Sequence, residues 1–433
     1  MAVMKIGMVG LGTVGTGVAR VLRDQPNRIA RHAGHRLELA RVVVRDMAKP
    51  RSIALPPHLV TDQVEQLIAD PEIQIAIELM GGVEPARTIV LNLLKNGKSV
   101  VTANKALLAE HGPELFDCAR NMGRSIAFEA AVCGGIPIIA NLGQSLAANQ
   151  ITSLRGILNG TSNFIVSRMD ERNSSYAAAV AEAQRRGFAE ADPTLDVDGT
   201  DAAQKLAILA HLAFGARVDW RDIPRTGIDQ LDPADLRYAR ELGYRVRLLA
   251  VAELGEDLEL HVSPTLVRMG RPLAEVREAY NAVRIVGDVV GPVFFHGLGA
   301  GQMPTASAVL ADLIDTAVGR ARITFRMLDL WSQREPLVAL SDHARVKSRF
   351  YLRFTVEDHP GVLGEIASIL GRHQISIASV IQKEPDGEGE LTLVPLVIMT
   401  HDAPEGAAAR AVAEIDSLPS IQKPSVRIPV ADA

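Results

Sequence analysis

The chain is short of cysteine and of aromatic residues: its 433 residues include two cysteines, Cys118 and Cys133, and two tryptophans. Two thiols cannot build a disulfide framework or a four-thiolate zinc site, which fits a reducing compartment. Excess positive charge is also missing, since 46 Lys and Arg face 51 Asp and Glu for a net charge of -5. That balance argues against the basic footprint of a nucleic-acid binder. No apolar run is long enough to span a bilayer, and no charged-then-apolar leader follows Met1, so no membrane partner and a cytoplasmic location are expected. Internal repeats and low-complexity tracts are absent too. The remaining composition is that of a globular protein long enough for two or three domains.

Short apolar runs at 5–9, 37–44, 73–79, 99–102 and 125–128 alternate with helical patterns, which predicts a parallel α/β sheet with crossover helices over 1–135. Gly10-Leu11-Gly12-Thr13-Val14-Gly15 lies between the first strand and a helix. Gly10 permits the tight turn, Gly12 lets a pyrophosphate approach the backbone, and Gly15 lets helix and strand pack closely. Thr13 and Val14 begin the helix whose free N–H groups would meet the phosphates. A Rossmann-type dinucleotide-binding domain is therefore expected. At the end of the second strand, Arg45 stands where an acidic residue usually grips the ribose. Arg45, with Lys49 and Arg51 nearby, favours the 2′-phosphate of NADP, while Asp46 leaves NAD open.

Residues 136–319 have a mixed pattern, expected as an α+β catalytic domain. A polar, arginine-rich connection follows at 320–348, and then a strand-helix-strand-strand-helix-strand unit over 349–433, with a hairpin near Asp386-Gly387. Such a connection predicts separate folding of the last unit.

The densest chemistry lies at 187–205, GFAEADPTLDVDGTDAAQK, where Glu190, Asp192, Asp196, Asp198 and Asp201 precede Lys205. Asp192-Pro193 and Asp198-Gly199 are turn signals, and a helix is expected from Thr200 or Asp201. Asp201 and Lys205 then stand four apart on one face, the acid on the favourable N-terminal side.

After a nucleotide fold, this segment resembles the substrate signature of homoserine dehydrogenase, with Gly187, Glu190, Asp196, Asp201 and Lys205 on the motif positions. Thr102-Ala103-Asn104-Lys105 resembles the same family's TANK run, and Gly287, Gly299, Gly301 and 304–309 (PTASAV) match where the family's chain returns to the nucleotide. DHPGVLGEIASIL at 358–370 resembles an ACT domain, a ferredoxin-like module that commonly binds amino-acid effectors. The resemblance implies reduction of L-aspartate 4-semialdehyde to L-homoserine by NAD(P)H. It implies Lys205 as proton donor, oriented by Asp201 and assisted by Lys105, and Glu190 as the holder of the substrate ammonium. Asp196 and Thr161 would complete the substrate pocket. It further implies a sodium-type monovalent cation at Glu129 and the backbone of Val132, Gly134 and Ile136, a homo-oligomer (dimer or tetramer) formed through 136–319, and an effector, with threonine as the candidate. No kinase-like segment precedes the nucleotide turn, so the form fused to aspartate kinase is not expected. Alternatives are another dehydrogenase of small amino-acid carbonyls, a non-catalytic amino-acid sensor, or a dehydrogenase that uses Cys133 as nucleophile.

Overall fold

The structure, a computed structural model, describes residues 2–328, 338–382 and 393–431. The hairpin expected near Asp386-Gly387 lies outside them.

The first sheet holds β1 (Val3–Val9), β2 (Arg36–Val43), β3 (Val60–Thr61), β4 (Ile73–Glu78), β5 (Ser99–Thr102) and β6 (Ile126–Ala127), in the order β3-β2-β1-β4-β5-β6. Every pairing is parallel, which is the Rossmann arrangement. Both faces are covered, so neighbouring residues of a strand enter different cores. Val42, Ile77 and Val101 pack with Val18 and Leu22 on one side, while Val43, Ala76 and Val100 pack with Leu93, Leu107 and Phe116 on the other. The helix Gln302–Ala317 closes the first of these cores with Ala306, Val309 and Leu313. It lies inside the span 136–319 but packs on the nucleotide domain.

The second sheet is ten-stranded. It contains β7 (Ile151–Ile157), β8 (Tyr244–Leu254), β9 (Leu258–Arg268), β10 (Tyr280–Gly287) and β11 (Gly291–Leu298), which pair with one another antiparallel. The C-terminal strands β12 (Lys347–Glu357), β13 (Ile377–Gln382), β14 (Leu393–Thr400), β15 (Ala403–Pro404) and β16 (Ile421–Ala431) continue it. The order is β11-β10-β7-β8-β9-β16-β12-β14-β13, with β15 paired to the start of β12. With the helices Val362–Arg372 and Glu405–Ile415, the last unit has the expected strand and helix order and its own core of Phe350, Phe354, Ile366, Leu396 and Ile415.

Separate folding of that unit is expected from the polar connection; in the structure the unit packs against the catalytic domain. Strand β16 pairs in parallel with β9 through Val430 and Ala431. Asp235, on the helix Pro233–Glu241, accepts hydrogen bonds from Tyr351 Oη (2.8 Å) and from Arg353 Nε (2.5 Å) and Nη2 (2.9 Å) of β12. The connection is itself anchored: Phe325 is buried and stacks on Phe116 at 5.2 Å, and Val346 is buried. Composition marked the connection as polar, but those apolar residues within it reach packed surfaces that only the tertiary structure supplies.

Candidate active site

The nucleotide turn has the geometry its glycines imply. Gly10 has φ +101°, and a Cβ there would meet the Leu79 carbonyl oxygen at 2.5 Å. A Cβ at Gly15 would lie 2.2 Å from the Gly10 carbonyl oxygen, whereas Gly12 has open space around it. Gly12 also precedes the helix Thr13–Asp24, which has no side-chain cap. The N–H groups of Thr13, Val14 and Gly15 are therefore available to an anion. Gln302 Nε2 donates to the Thr13 carbonyl at 3.0 Å, tying the returning helix to this turn.

Beyond β2, Arg45 is exposed and makes no hydrogen bond or ion pair with any described residue. Asp46 is turned inward on its own loop: its Oδ1 accepts from Ala48 N (2.8 Å) and Lys49 N (3.2 Å). At the ends of β4 and β5, buried Glu78 accepts from Thr102 Oγ1 (2.7 Å) and Met80 N (2.8 Å), and burial raises its carboxyl above the ordinary value. Asn104 caps the helix Lys105–Asn121 by accepting from Leu107 N. That cap sets Lys105 at the helix start, beyond the carboxyl end of β5.

From the second domain comes the helix Thr200–Phe214, entered through Gly199 at φ +86°. Asp201 and Lys205 lie on its first turns, and the i,i+4 pairing forms as expected: Lys205 Nζ to Asp201 Oδ2 is 2.7 Å. Lys105 Nζ reaches the other oxygen, Asp201 Oδ1, at 2.9 Å. Burial alone would raise the Asp201 carboxyl, but the Lys205 and Lys105 ammoniums outweigh it and hold the group well below the carboxylate range. Burial alone would lower Lys205, yet the Asp201 carboxylate leaves it above the ordinary lysine value. Lys205 Nζ also donates to the Leu158 carbonyl at 2.7 Å. An ammonium has three donors, so one N–H is left for a substrate.

Asp196 is half-buried in the short helix Thr194–Val197 of the preceding segment, its carboxyl raised by burial and by Asp201. Thr161 Oγ1 donates to the Phe188 carbonyl at 2.7 Å, pinning that loop to the helix Gly160–Arg172. Glu190 is not gathered into the cluster. It is exposed, its carboxylate has no partner among the described residues, and only its carbonyl is engaged, by Gln184 Nε2.

Two residues that motif reasoning passed over complete the arrangement. Asn159 contacts both Asp196 and Asp201, and Asn281 Nδ2 donates to the same Leu158 carbonyl that holds Lys205, at 2.9 Å. Asn159 had a signal, an Asn-Gly step before a helical pattern; Asn281 sits at the start of β10 and had none.

The loop from Glu129 to Pro137 joins the two domains. Its fit to a cation is partial. The carbonyls of Val132 and Gly134 accept no hydrogen bond among the described residues, which suits a hard monovalent ion. The Ile136 carbonyl accepts from Ile138 N at 2.8 Å. Glu129 Oε1 and Oε2 accept from Ile139 N (2.9 Å) and Ala140 N (2.8 Å), and its main-chain carbonyl accepts from Val132 N at 3.4 Å. Cys133, in the same loop, is buried at φ +52°, and burial pushes its thiol up, opposing the thiolate a nucleophile needs.

Profiles for known families match three parts of the chain: "Homoserine dehydrogenase, NAD binding domain" at 10–129, "Homoserine dehydrogenase" at 137–314 and "ACT domain" at 350–419. The homoserine dehydrogenase of Neisseria gonorrhoeae is 43% identical over 432 residues, covering 99% of this chain and 98% of its own. The chain belongs to the homoserine dehydrogenase family. A crystal structure of a homoserine dehydrogenase from Thiobacillus denitrificans superposes with a TM-score of 0.92 at 41% identity, over 100% of this chain and 99% of that one. A shorter relative, a hyperthermophilic archaeal homoserine dehydrogenase in complex with NADPH, is 26% identical with a TM-score of 0.61 and covers 72% of this chain and 97% of its own. A homoserine dehydrogenase is an NAD(P)-dependent oxidoreductase that reduces L-aspartate 4-semialdehyde to L-homoserine in threonine, methionine and isoleucine biosynthesis, and this chain carries that function with an ACT domain at its C-terminus.

Proposed function

We propose that Lys205 protonates the carbonyl oxygen of aspartate semialdehyde during its reduction, with Asp201 orienting the lysine and Lys105 assisting from the nucleotide side. Bound nicotinamide supplies the hydride. As the aldehyde carbon gains it, negative charge collects on oxygen, and the free N–H of Lys205 stabilises and then protonates that oxygen. The observation that carries this reading is the pair of bonds from Lys205 Nζ to Asp201 and to the Leu158 carbonyl, both 2.7 Å, which aim one remaining donor. Glu190 is assigned to the substrate ammonium, Asp196 and Thr161 to the pocket wall.

The preferred cofactor is NADPH, because Arg45 is free and exposed while the Asp46 carboxylate is occupied by its own turn. Gly10, Gly12, Thr13, Val14 and Gly15 hold the pyrophosphate. A sodium-type ion is assigned to Glu129 and to the carbonyls of Val132, Gly134 and Ile136. The ACT domain is assigned an amino-acid effector, with threonine, a downstream product, as the first to test. The protein is read as a cytoplasmic homo-oligomer, a dimer or tetramer formed through 136–319, where the edge strand β11 and the turn before it expose Val289, Val290, Phe294 and Leu298. The decisive experiment follows NADPH oxidation with aspartate semialdehyde in wild type and Lys205→Ala. Removing a general acid lowers kcat by roughly 100-fold or more while NADPH still binds; near-normal turnover in folded K205A excludes Lys205 as the donor.

A further inference from the structure

Asn159 lies between β7 and the helix Gly160–Arg172 and is 5% exposed. Its Oδ1 accepts from Ser162 N at 2.7 Å and from Ser162 Oγ at 2.6 Å, capping the helix. The Ser162 N–H, which can only donate, decides which end of the amide is oxygen. The NH2 end therefore faces away from the helix, and it meets two carboxylates: Nδ2 lies 2.7 Å from Asp196 Oδ1 and 2.8 Å from Asp201 Oδ2. An amide has two N–H donors, so both are used, one on each acid. Asp201 Oδ2 is also the oxygen that binds Lys205.

Two carboxylates side by side repel; Lys205 and Lys105 already hold both oxygens of Asp201, so the bridge through Asn159 ties half-buried Asp196 to an anchored partner. From this geometry we infer that Asn159 is a positioning residue of the reductase, which clamps Asp196 and Asp201 at fixed separation and so fixes the direction in which Lys205 presents its free N–H. The inference rests on the reading of Lys205 and Asp201 given above. A helix cap alone does not account for it, because capping uses only the amide oxygen, and Ser, Thr or Asp at this position would cap equally well. Only Asn or Gln adds two donors, and Gln is longer by one methylene.

The test separates the cap from the clamp. Asn159→Ser and Asn159→Asp each keep an oxygen for the Ser162 N–H and lose both donors to the carboxylates. With the full-length protein, N159S lowers kcat by roughly 10- to 100-fold, the scale of a misaligned reacting group, with KM for NADPH and the melting temperature close to wild type. N159D, which sets a third carboxylate against the other two, loses at least as much. Lys205→Ala is measured alongside. Wild-type kcat in N159S with an inactive K205A overturns the clamp and leaves the role of Lys205 standing. A loss of kcat in N159S matched by unimpaired K205A overturns both, since Asn159 acts through that lysine. If N159S does not fold, N159D is decisive by the same criteria, and a defect confined to thermal stability in either variant reduces Asn159 to a cap.

Discussion

Lys105 and Asp201 arise from different domains, yet Lys105 Nζ lies 2.9 Å from Asp201 Oδ1. One acid thus joins two lysines, Lys105 at the rim of the nucleotide sheet and Lys205 one turn along its own helix. Lys105 is a third exposed and Lys205 much less so, so the outer lysine is the easier of the two to release toward a ligand. Lys105→Ala is expected to weaken both the charge balance at Asp201 and the contact between domains. Its kcat falls by about 10-fold or more, less than in K205A, because a general acid is worth more than its neighbour. Equal losses in the two variants would assign them equal parts in proton transfer.

Arg45 is expected to discriminate between the cofactors. Arg45→Ala raises KM for NADPH by roughly tenfold or more, the value of one charge-assisted contact to phosphate, and leaves KM for NADH nearly unchanged. Parallel changes for both cofactors would remove Arg45 from the 2′-phosphate.

Asp196 links activity to stability in opposite directions. Its folded carboxyl titrates above the ordinary value because of burial and then of Asp201. Its stabilising contribution is therefore full below the unfolded value and lost as pH rises through the folded one. As pH rises above the unfolded value, its charged form, disfavoured by burial and by Asp201, opposes folding. Asp196→Asn melts at a higher temperature than wild type at pH 7, the difference shrinks as pH falls toward the unfolded carboxylate value, and catalysis is impaired. Melting curves across that range test it, and a lower melting temperature for D196N at pH 7 would show that Asp196 pays no such penalty.

The last unit is expected to be bound tightly to the catalytic one. Asp235→Ala leaves Arg353 and Tyr351 facing a buried gap, and loss of one partner of a buried ion pair costs about 3–5 kcal/mol. Denaturant titration measures this, and a change near zero would show that the junction is solvated. For the same reason a chain cut after residue 345 is expected to lose solubility or melt lower, as β9 becomes an open edge. A soluble, fully active fragment with an unchanged midpoint contradicts that. Threonine titration belongs on the intact protein, where inhibition at constant NADPH supports the effector assignment and its absence leaves the ACT domain without one.

Much of the molecule was legible without coordinates, because the features concerned are local. A strand, a glycine turn and a helix within a few residues define the nucleotide site, and a four-residue step on a helix defines the Asp201–Lys205 pair. The order of strands and helices in the ACT domain follows from hydrophobic period and turns in the same way. What lay beyond reach depends on segments distant in the chain. That Lys105 shares Asp201 is decided by how two domains close on each other, and that Asn159 bridges two acids and Asn281 supports the carbonyl holding Lys205 by how distant segments pack within the second domain. That the Glu129 carboxylate satisfies the N–H groups of Ile139 and Ala140 depends on a helix turn that only the fold brings beneath it. The polar stretch before β12 looked like a tether, yet a few apolar side chains in it find buried partners and β16 finds the edge of β9. Composition and period report what a segment prefers; which buried groups meet is set by long-range packing, where each unpaired donor or acid must find its partner.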